Sequence, residues 1–212
     1  VTKIVEKFKD DSVDFHQTVA DMANISRTQA KTINLGLFYG MGKAKLQAEL
    51  GLSTKQEAEN LFNQYHDNVP FVRELMNRTS SFAQTSGSIG TLLGRKCRFD
   101  KWEPATFGMH TPMTLEEAER TYGRGRIRRA FTYKALNKLI QGSAADMTKK
   151  AMLDLYQEGI VPHIQIHDEL DLSIESDAQA KKIIEIMENA VTLAVPNKVD
   201  YESGNTWGEI NG

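Results

Sequence analysis

The chain is poor in cysteine and has no long apolar run, and each shortage excludes a class of protein. Cys97 is the one cysteine among 212 residues, so neither an internal disulfide nor a cysteine-based zinc site can form. Hydrophobic residues make up 40% of the chain, which suffices for a core. No stretch reaches the roughly 18 consecutive apolar residues that a membrane-spanning helix needs. Without a charged-then-apolar leader, the sequence predicts a cytoplasmic protein with no membrane partner.

Net charge is also small, −2 at pH 7, but it is unevenly distributed. Residues 1–91 balance, residues 92–138 carry 11 basic and 5 acidic side chains, and residues 139–212 carry 5 basic and 13 acidic ones. A basic block beside an acidic one is typical of a protein that binds phosphates in one place and cations in another. Ordinary surface variation is the alternative.

Helical periodicity and capping residues predict a mainly helical first part. The predicted helices cover residues 14–22, 26–39, 43–50, one that Ser53 caps through a Ser53-x-x-Gln56 capping box, and one that Pro70 opens. A glycine-bounded hairpin over residues 87–99 follows, and then an irregular stretch with a short helix at 114–122. Two further helices are predicted, from Arg126 to about Gly159 and over residues 177–193.

Between those last helices, residues 160–174 alternate as a strand does. Five apolar residues share parity and predict one buried face: Ile164, Ile166, Leu170, Leu172 and Ile174. His167-Asp168-Glu169 interrupts the pattern, either as an ordinary charged hairpin tip or as a metal site. Magnesium favours one or two carboxylates together with water and substrate phosphates, so Asp168 alone supplies half of such a site.

Arg27, Lys31, Leu35 and Tyr39 recur every four residues on the second predicted helix. At about 100° per residue each step drifts by about 40°, so the four lie along one slowly turning stripe. Two cations on that stripe can meet a polyphosphate, and the aromatic ring can meet a base or sugar. The alternative is a solvated basic face with Tyr39 in the core.

The order of these residues resembles the polymerase I family (family A) of DNA polymerases. Arg27-x3-Lys31-x6-Phe38-Tyr39-Gly40 resembles its motif B, and Gln165-Ile-His167-Asp168-Glu169 its motif C. The resemblance extends over nearly the whole chain through Asp14-x-His16, Thr91-Leu-Leu-Gly94-Arg95 and Asn137-x3-Gln141.

The resemblance implies a role for each matching residue. Arg27 and Lys31 would hold the triphosphate, Lys31 as part of the catalytic machinery, and Tyr39 would stack near the nascent base pair. Leu35 would lie beside the sugar, where bacterial members usually have Phe and some phage members Tyr. Because Leu35 offers no hydroxyl, strong discrimination against dideoxynucleotides is expected. Asp168 would bind the catalytic Mg²⁺ and Glu169 would support that catalytic site. DNA contacts would come from Asn137, Gln141, His167 and Arg128, the last within the basic cluster Arg124, Arg126, Arg128 and Arg129.

The resemblance implies an α/β (α+β) fold with the right-hand architecture of polymerases. A helical fingers subdomain would span residues 1–86, with the nucleotide helix at about 26–40. The C-terminal part of a palm, with a small antiparallel sheet, would span residues 87–212, with the metal hairpin at about 160–175. The implied activity is that of a DNA-directed DNA polymerase, a nucleotidyltransferase that adds deoxynucleotides (dNTPs) to the 3′ end of a primer on template DNA by two-metal phosphoryl transfer.

One part of that machinery is missing from these 212 residues. In the family, motif A, an Asp-Tyr-Ser-like strand upstream of the Asp14-x-His16 segment, supplies the second metal-binding carboxylate. Asp146, within a helix, and Asp171, opposite to the apolar parity, are not expected to replace it. The isolated chain is therefore expected to be inactive and to need an upstream part with a thumb and motif A.

Two alternatives remain open at this point. One is a fragment of a single-subunit RNA polymerase, against which Leu35 and Glu169 count. The other is a non-catalytic DNA-binding remnant. The short spacing between His16 and Arg27, together with Leu35, favours a phage or viral member. Such a protein would act in the cytoplasm of the host cell.

Overall fold

The computed structural model describes residues 5–6, 9, 14–38, 41–106 and 108–210. They form two compact units, one within residues 12–143 and one within residues 144–212 together with the described residues before residue 12. This division does not follow the boundary at residues 86 and 87, so the fingers and palm subdomains stay a prediction.

Five helices open the first unit, as predicted. They are α1 (Phe15–Ala23), α2 (Arg27–Phe38), α3 (Lys43–Glu49), α4 (Lys55–Asn68) and α5 (Pro70–Ser86). Asp14 caps α1 by accepting the Gln17 amide at 2.9 Å. Ser26 and Gln29 cap the start of α2 reciprocally: the Gln29 amide donates to Ser26 Oγ at 3.2 Å, and the Ser26 amide donates to Gln29 Oε1 at 3.1 Å.

The cap of α4 lies one residue later than the sequence prediction, which was wrong in naming Ser53. Thr54 accepts the Glu57 amide at 3.1 Å, and Glu57 accepts the Thr54 amide, so these two form the capping box. Gln56 instead donates to Asn60 at 2.9 Å, one turn along the exposed face. Both register choices satisfy the Ser/Thr-x-x-Glu/Gln pattern, and the carboxylate of Glu57 is the better acceptor near a helix N-terminus.

These helices pack around one apolar cluster that joins all five. Its buried members are Val19, Ala20, Ala30, Ile33, Leu46, Tyr65, Val69 and Val72. Full burial of a Val, Leu or Ile side chain stabilises by roughly 1.5–3 kcal/mol, so this cluster is the main force holding the helices together.

Three two-stranded antiparallel ribbons complete the strand content of the described residues. They pair β1 (Ser88–Gly90) with β2 (Lys96–Arg98), β3 (Trp102–Pro104) with β4 (Ile127–Arg129), and β5 (Ile164–Ile166) with β6 (Glu169–Asp171). The predicted fold class, a mainly helical α/β chain with small antiparallel sheets, is confirmed.

The second ribbon corrects the prediction of a helix starting at Arg126. Helix α6 (Leu115–Tyr122) lies between β3 and β4, and α7 (Ala135–Gln157) begins only after a 3-10 turn at Thr132–Lys134. Trp102 pairs with Arg129 across a long intervening segment. Such a pairing leaves no local periodicity in the sequence, because its two strands are short and distant along the chain.

The second unit contains most of α7, the β5–β6 hairpin, α8 (Asp177–Asn189) and α9 (Trp207–Ile210). Within the described residues, no helix is both long enough and apolar enough to cross a membrane.

Candidate functional site

Helix α2 has two distinct faces. Ala30, Ile33 and Asn34 are buried, whereas Arg27, Lys31 and Leu35 are exposed, Leu35 to 44%. The predicted stripe thus lies on the solvent side of the helix for the three members that the structure describes. Tyr39, the fourth, lies outside the described residues.

The position of Arg27 is set by the start of α1. Its Nε and Nη2 both donate to Asp14 Oδ2, at 2.8 and 2.6 Å, while the other oxygen of Asp14 caps α1. The Gln17 amide and, after it, the Arg27 guanidinium lower the pKa of the Asp14 carboxyl. The Nη1 edge of Arg27 and the ammonium of Lys31 have no partner among the described residues, so both are available to an anion.

Leu35 lines an open cleft of about 380 Å³ at the C-terminal end of α2, together with Met41 and Lys45. Gly36 is buried beside it, and a Cβ there would collide with the Met41 side chain. The side chains of Leu35 and Met41 therefore give the cleft an apolar wall.

The β5–β6 hairpin places Asp168 at its tip. Ile166 pairs with Glu169, so His167 and Asp168 form a two-residue loop, and His167 adopts a positive φ of 54°. A non-glycine residue in this region costs roughly 1–3 kcal/mol; Gln165 Nε2, which donates to the His167 carbonyl at 3.0 Å, helps to hold it. The carboxylates of Asp168 and Glu169 are exposed and unpaired within the described part of the chain.

A two-residue loop also reverses side-chain parity between the strands. Ile164 pairs with Asp171, and Gln165 with Leu170, so even-numbered residues of β5 share a face with odd-numbered residues of β6. The predicted common face of Ile164, Ile166 and Leu170 is therefore wrong. Ile164 is 50% exposed, and Asp171 lies on its face, not opposite to it.

The donor chemistry at the hairpin suits magnesium, but only as part of a site. Asp168 offers a hard, unpaired carboxylate, as Mg²⁺ prefers. Across the described residues, no group of three or more His, Cys, Asp or Glu side chains is placed to hold a metal ion. Asp146 is buried within α7. The assignment of Asp168 as a metal ligand stays a prediction.

Two further predicted segments meet on α7. The Arg95 guanidinium donates to the Gly142 carbonyl at 2.8 Å, and the Leu92 amide donates to Ser143 Oγ at 2.9 Å. A Cβ on Gly142 would come within 2.7 Å of Thr91 Cγ2, so glycine is needed for this approach. The turn at residues 91–95 thus packs against the two residues of α7 that follow Gln141. No sequence signal marked Ser143 as a hydrogen-bond partner of this turn.

Three of the arginines in the predicted basic cluster make different contacts. Arg128 donates to Glu103 at 2.8 Å, and Arg124 donates to Glu119 at 3.1 Å. Arg129 stacks on Trp102 at 4.6 Å and donates to the Phe99 carbonyl at 2.9 Å, so it holds the second ribbon in place. A DNA contact by Arg128 would have to compete with Glu103, and that role stays a prediction.

Known proteins match the chain over nearly its whole length. A family model described as DNA polymerase family A matches residues 2–209. The chain is 33% identical to a DNA-directed DNA polymerase of Pseudomonas phage M6, over 98% of this chain and 33% of that protein. It is 35% identical to DNA polymerase I of Geobacillus stearothermophilus, over 91% of this chain and 21% of that protein.

A solved structure agrees with these sequences. The POL domain of Pol1 from M. smegmatis, in complex with DNA primer-template and dNTP, matches with a TM-score of 0.75 and 27% identity, over 98% of this chain and 36% of that one. This structural match shows that the chain has the fold of a nucleic acid polymerase. The chain belongs to DNA polymerase family A. It spans about a third or less of the length of these curated relatives.

Proposed function

We propose that this chain supplies the nucleotide-binding helix and a metal-binding hairpin to a template-directed DNA polymerase. The observation that carries the proposal is the division of α2, where Arg27, Lys31 and Leu35 face solvent while Ala30, Ile33 and Asn34 are buried. Arg27 and Lys31 neutralise and orient the triphosphate of a dNTP, and Leu35 packs against its sugar. Phosphoryl transfer depends mainly on such positioning and charge neutralisation. Family membership favours this reading over an RNA polymerase fragment.

The hairpin serves the same reaction from the metal side. Asp168 would hold Mg²⁺ with its unpaired carboxylate, and Glu169 would support the site from the first position of β6. Bound magnesium would stabilise the charge on the reacting phosphate oxygens and help to activate the primer 3′ hydroxyl. His167 lies next to Asp168 and contacts the primer terminus.

Primer-template DNA is the second partner of the proposed enzyme. Asn137 and Gln141 share one face of α7, where their amides donate to acceptors in the minor groove. Arg128 adds a phosphate contact when the nucleic acid displaces Glu103.

The proposed enzyme also needs a polypeptide part that these 212 residues lack. Asp168 is one carboxylate where two-metal chemistry requires a second, and motif A is where family members carry it. Apolar side chains on and near the hairpin are also exposed, Val161 to 63% and Ile164 to 50%, which suits a surface covered by that part. If a phage encodes the chain, the assembled enzyme acts in the host cytoplasm.

Nucleotide binding to the purified chain tests the first half of the proposal. We expect dNTP binding that depends on Mg²⁺, weakened by about tenfold or more in Lys31→Ala, because charge-assisted contacts contribute about 1.5–3 kcal/mol. In a separate titration with Mg²⁺ alone, Asp168→Asn should weaken binding of the metal. Lys55→Ala and Asp200→Asn, exposed substitutions elsewhere, serve as matched controls.

Two outcomes would contradict the proposal. Salt-sensitive DNA binding without any nucleotide binding would favour a non-catalytic DNA-binding remnant. Primer extension by the chain alone, lost in Asp168→Asn, would support catalysis but refute the need for an upstream part.

A further inference from the structure

A buried polar side chain bonds to a member of the apolar cluster that packs α2 against its neighbours. Asn34 is 1% exposed and Tyr65, on α4, is 0% exposed. The Tyr65 hydroxyl donates to Asn34 Oδ1 at 2.5 Å, and Asn34 Nδ2 lies 3.3 Å from His16 Nδ1 on α1. One amide thus links three helices through both of its polar atoms.

Within the described part of α2, few apolar side chains are buried. Among its described side chains, Ala30 and Ile33 are the buried apolar ones, and one of these is a single methyl group. Dispersion and burial are non-directional, so a small rotation of the helix about its axis changes them little. Hydrogen bonds weaken steeply with angle, and a buried amide that loses its partners is costly.

We infer that Asn34 is a positioning residue of the nucleotide site. Held by Tyr65 and His16, its amide fixes the rotation of α2 and thereby aims Arg27, Lys31 and Leu35. The inference rests on the proposed function of that stripe. A single buried asparagine that fixes the register of packed helices is an established device of helical proteins.

The geometry explains why a small rotation matters. A group about 6 Å from the helix axis moves by about 2 Å when the helix turns by roughly 20°. A displacement of about 1 Å can cost about 100-fold in a well-aligned site. Because all three exposed residues share α2, they lose their alignment together.

The test separates orientation from stability. Asn34→Leu combined with Tyr65→Phe removes both polar groups of the buried pair, and the partly exposed His16 ring can bond to water in place of Asn34, so the melting temperature should stay close to wild type. Mg²⁺-dependent dATP binding to the purified 212-residue chain should nevertheless weaken by about tenfold or more. Val72→Ala, in the same cluster, is the matched control: it should lower the melting temperature and keep the dATP affinity.

Each outcome has a distinct meaning. Weakened binding in the double variant with an unchanged melting temperature supports Asn34 as a positioning residue. Equal dATP affinity in wild type and double variant, or an affinity that follows melting temperature in all three proteins, overturns it. No dATP binding by wild type at all would refute the proposed function instead.

Discussion

The histidine beside Tyr65 makes the stability of the chain depend on pH. His66 is 3% exposed, its ring packs edge-on against Phe62 with centroids 4.5 Å apart, and its Nδ1 has no hydrogen bond within the described structure. Burial and, after it, the charge of Arg73 lower the pKa of His66 from 6.5 to about 4, although Asp67 opposes them. The folded chain therefore keeps this imidazole neutral.

The sign follows from the two pKa values. Below pH 6.5 the unfolded chain binds a proton at His66 that the folded chain does not bind until about pH 4. Above pH 6.5 the neutral His66 therefore costs the folded chain little stability. As the pH falls below 6.5, the free energy of unfolding decreases by up to about 1.4 kcal/mol per pH unit. Between pH 7.5 and pH 4.5 the loss from this one group is about 2.5 kcal/mol.

Urea unfolding of wild type and His66→Phe at several pH values measures this loss. The variant keeps an aromatic ring in the same place and removes the titrating group. Carboxyl groups with lowered pKa, such as Asp14 and Glu117, also cost stability as the pH falls, but they do so in both proteins. The difference between the two unfolding free energies should therefore shift by about 2.5 kcal/mol in favour of the variant at pH 4.5. Parallel pH profiles would refute the argument that burial keeps His66 neutral.

Two other predictions concern the α4 cap and Leu35. Thr54→Ala should lower the free energy of unfolding by about 1 kcal/mol, whereas Ser53→Ala should change it little, and the reverse order would contradict the observed capping box. Leu35→Tyr, in an enzyme reconstituted with the upstream part, should raise dideoxynucleotide incorporation relative to dNTPs by about tenfold or more, because the tyrosine hydroxyl can supply a hydrogen bond that Leu35 lacks. Leu35→Phe is the control. No gain of Leu35→Tyr over that control would count against the placement of Leu35 beside the sugar.

Local patterns predicted the helices because their causes are local. Asp14 and Ser26 lie where a helix needs acceptors for its first amides, and Pro70 stands where an amide is not needed. The hairpin at residues 87–99 was likewise predicted, since glycine permits the turns that bound it. The cap at Thr54 was missed because two overlapping segments, one starting at Ser53 and one at Thr54, both fit the capping-box pattern.

The order of the matching segments, from Asp14-x-His16 to the segment around Asp168, by itself predicted the family, since each motif needs only residue types at fixed spacing. Tertiary structure decided the rest. It paired Trp102 with Arg129, which lie too far apart in the sequence for any periodicity to predict the pairing. The two-residue loop of the β5–β6 hairpin placed Ile164 and Leu170 on opposite faces. It also buried Asn34 between Tyr65 and His16. Such contacts join residues far apart in the chain, so their energies depend on packing that no local segment contains.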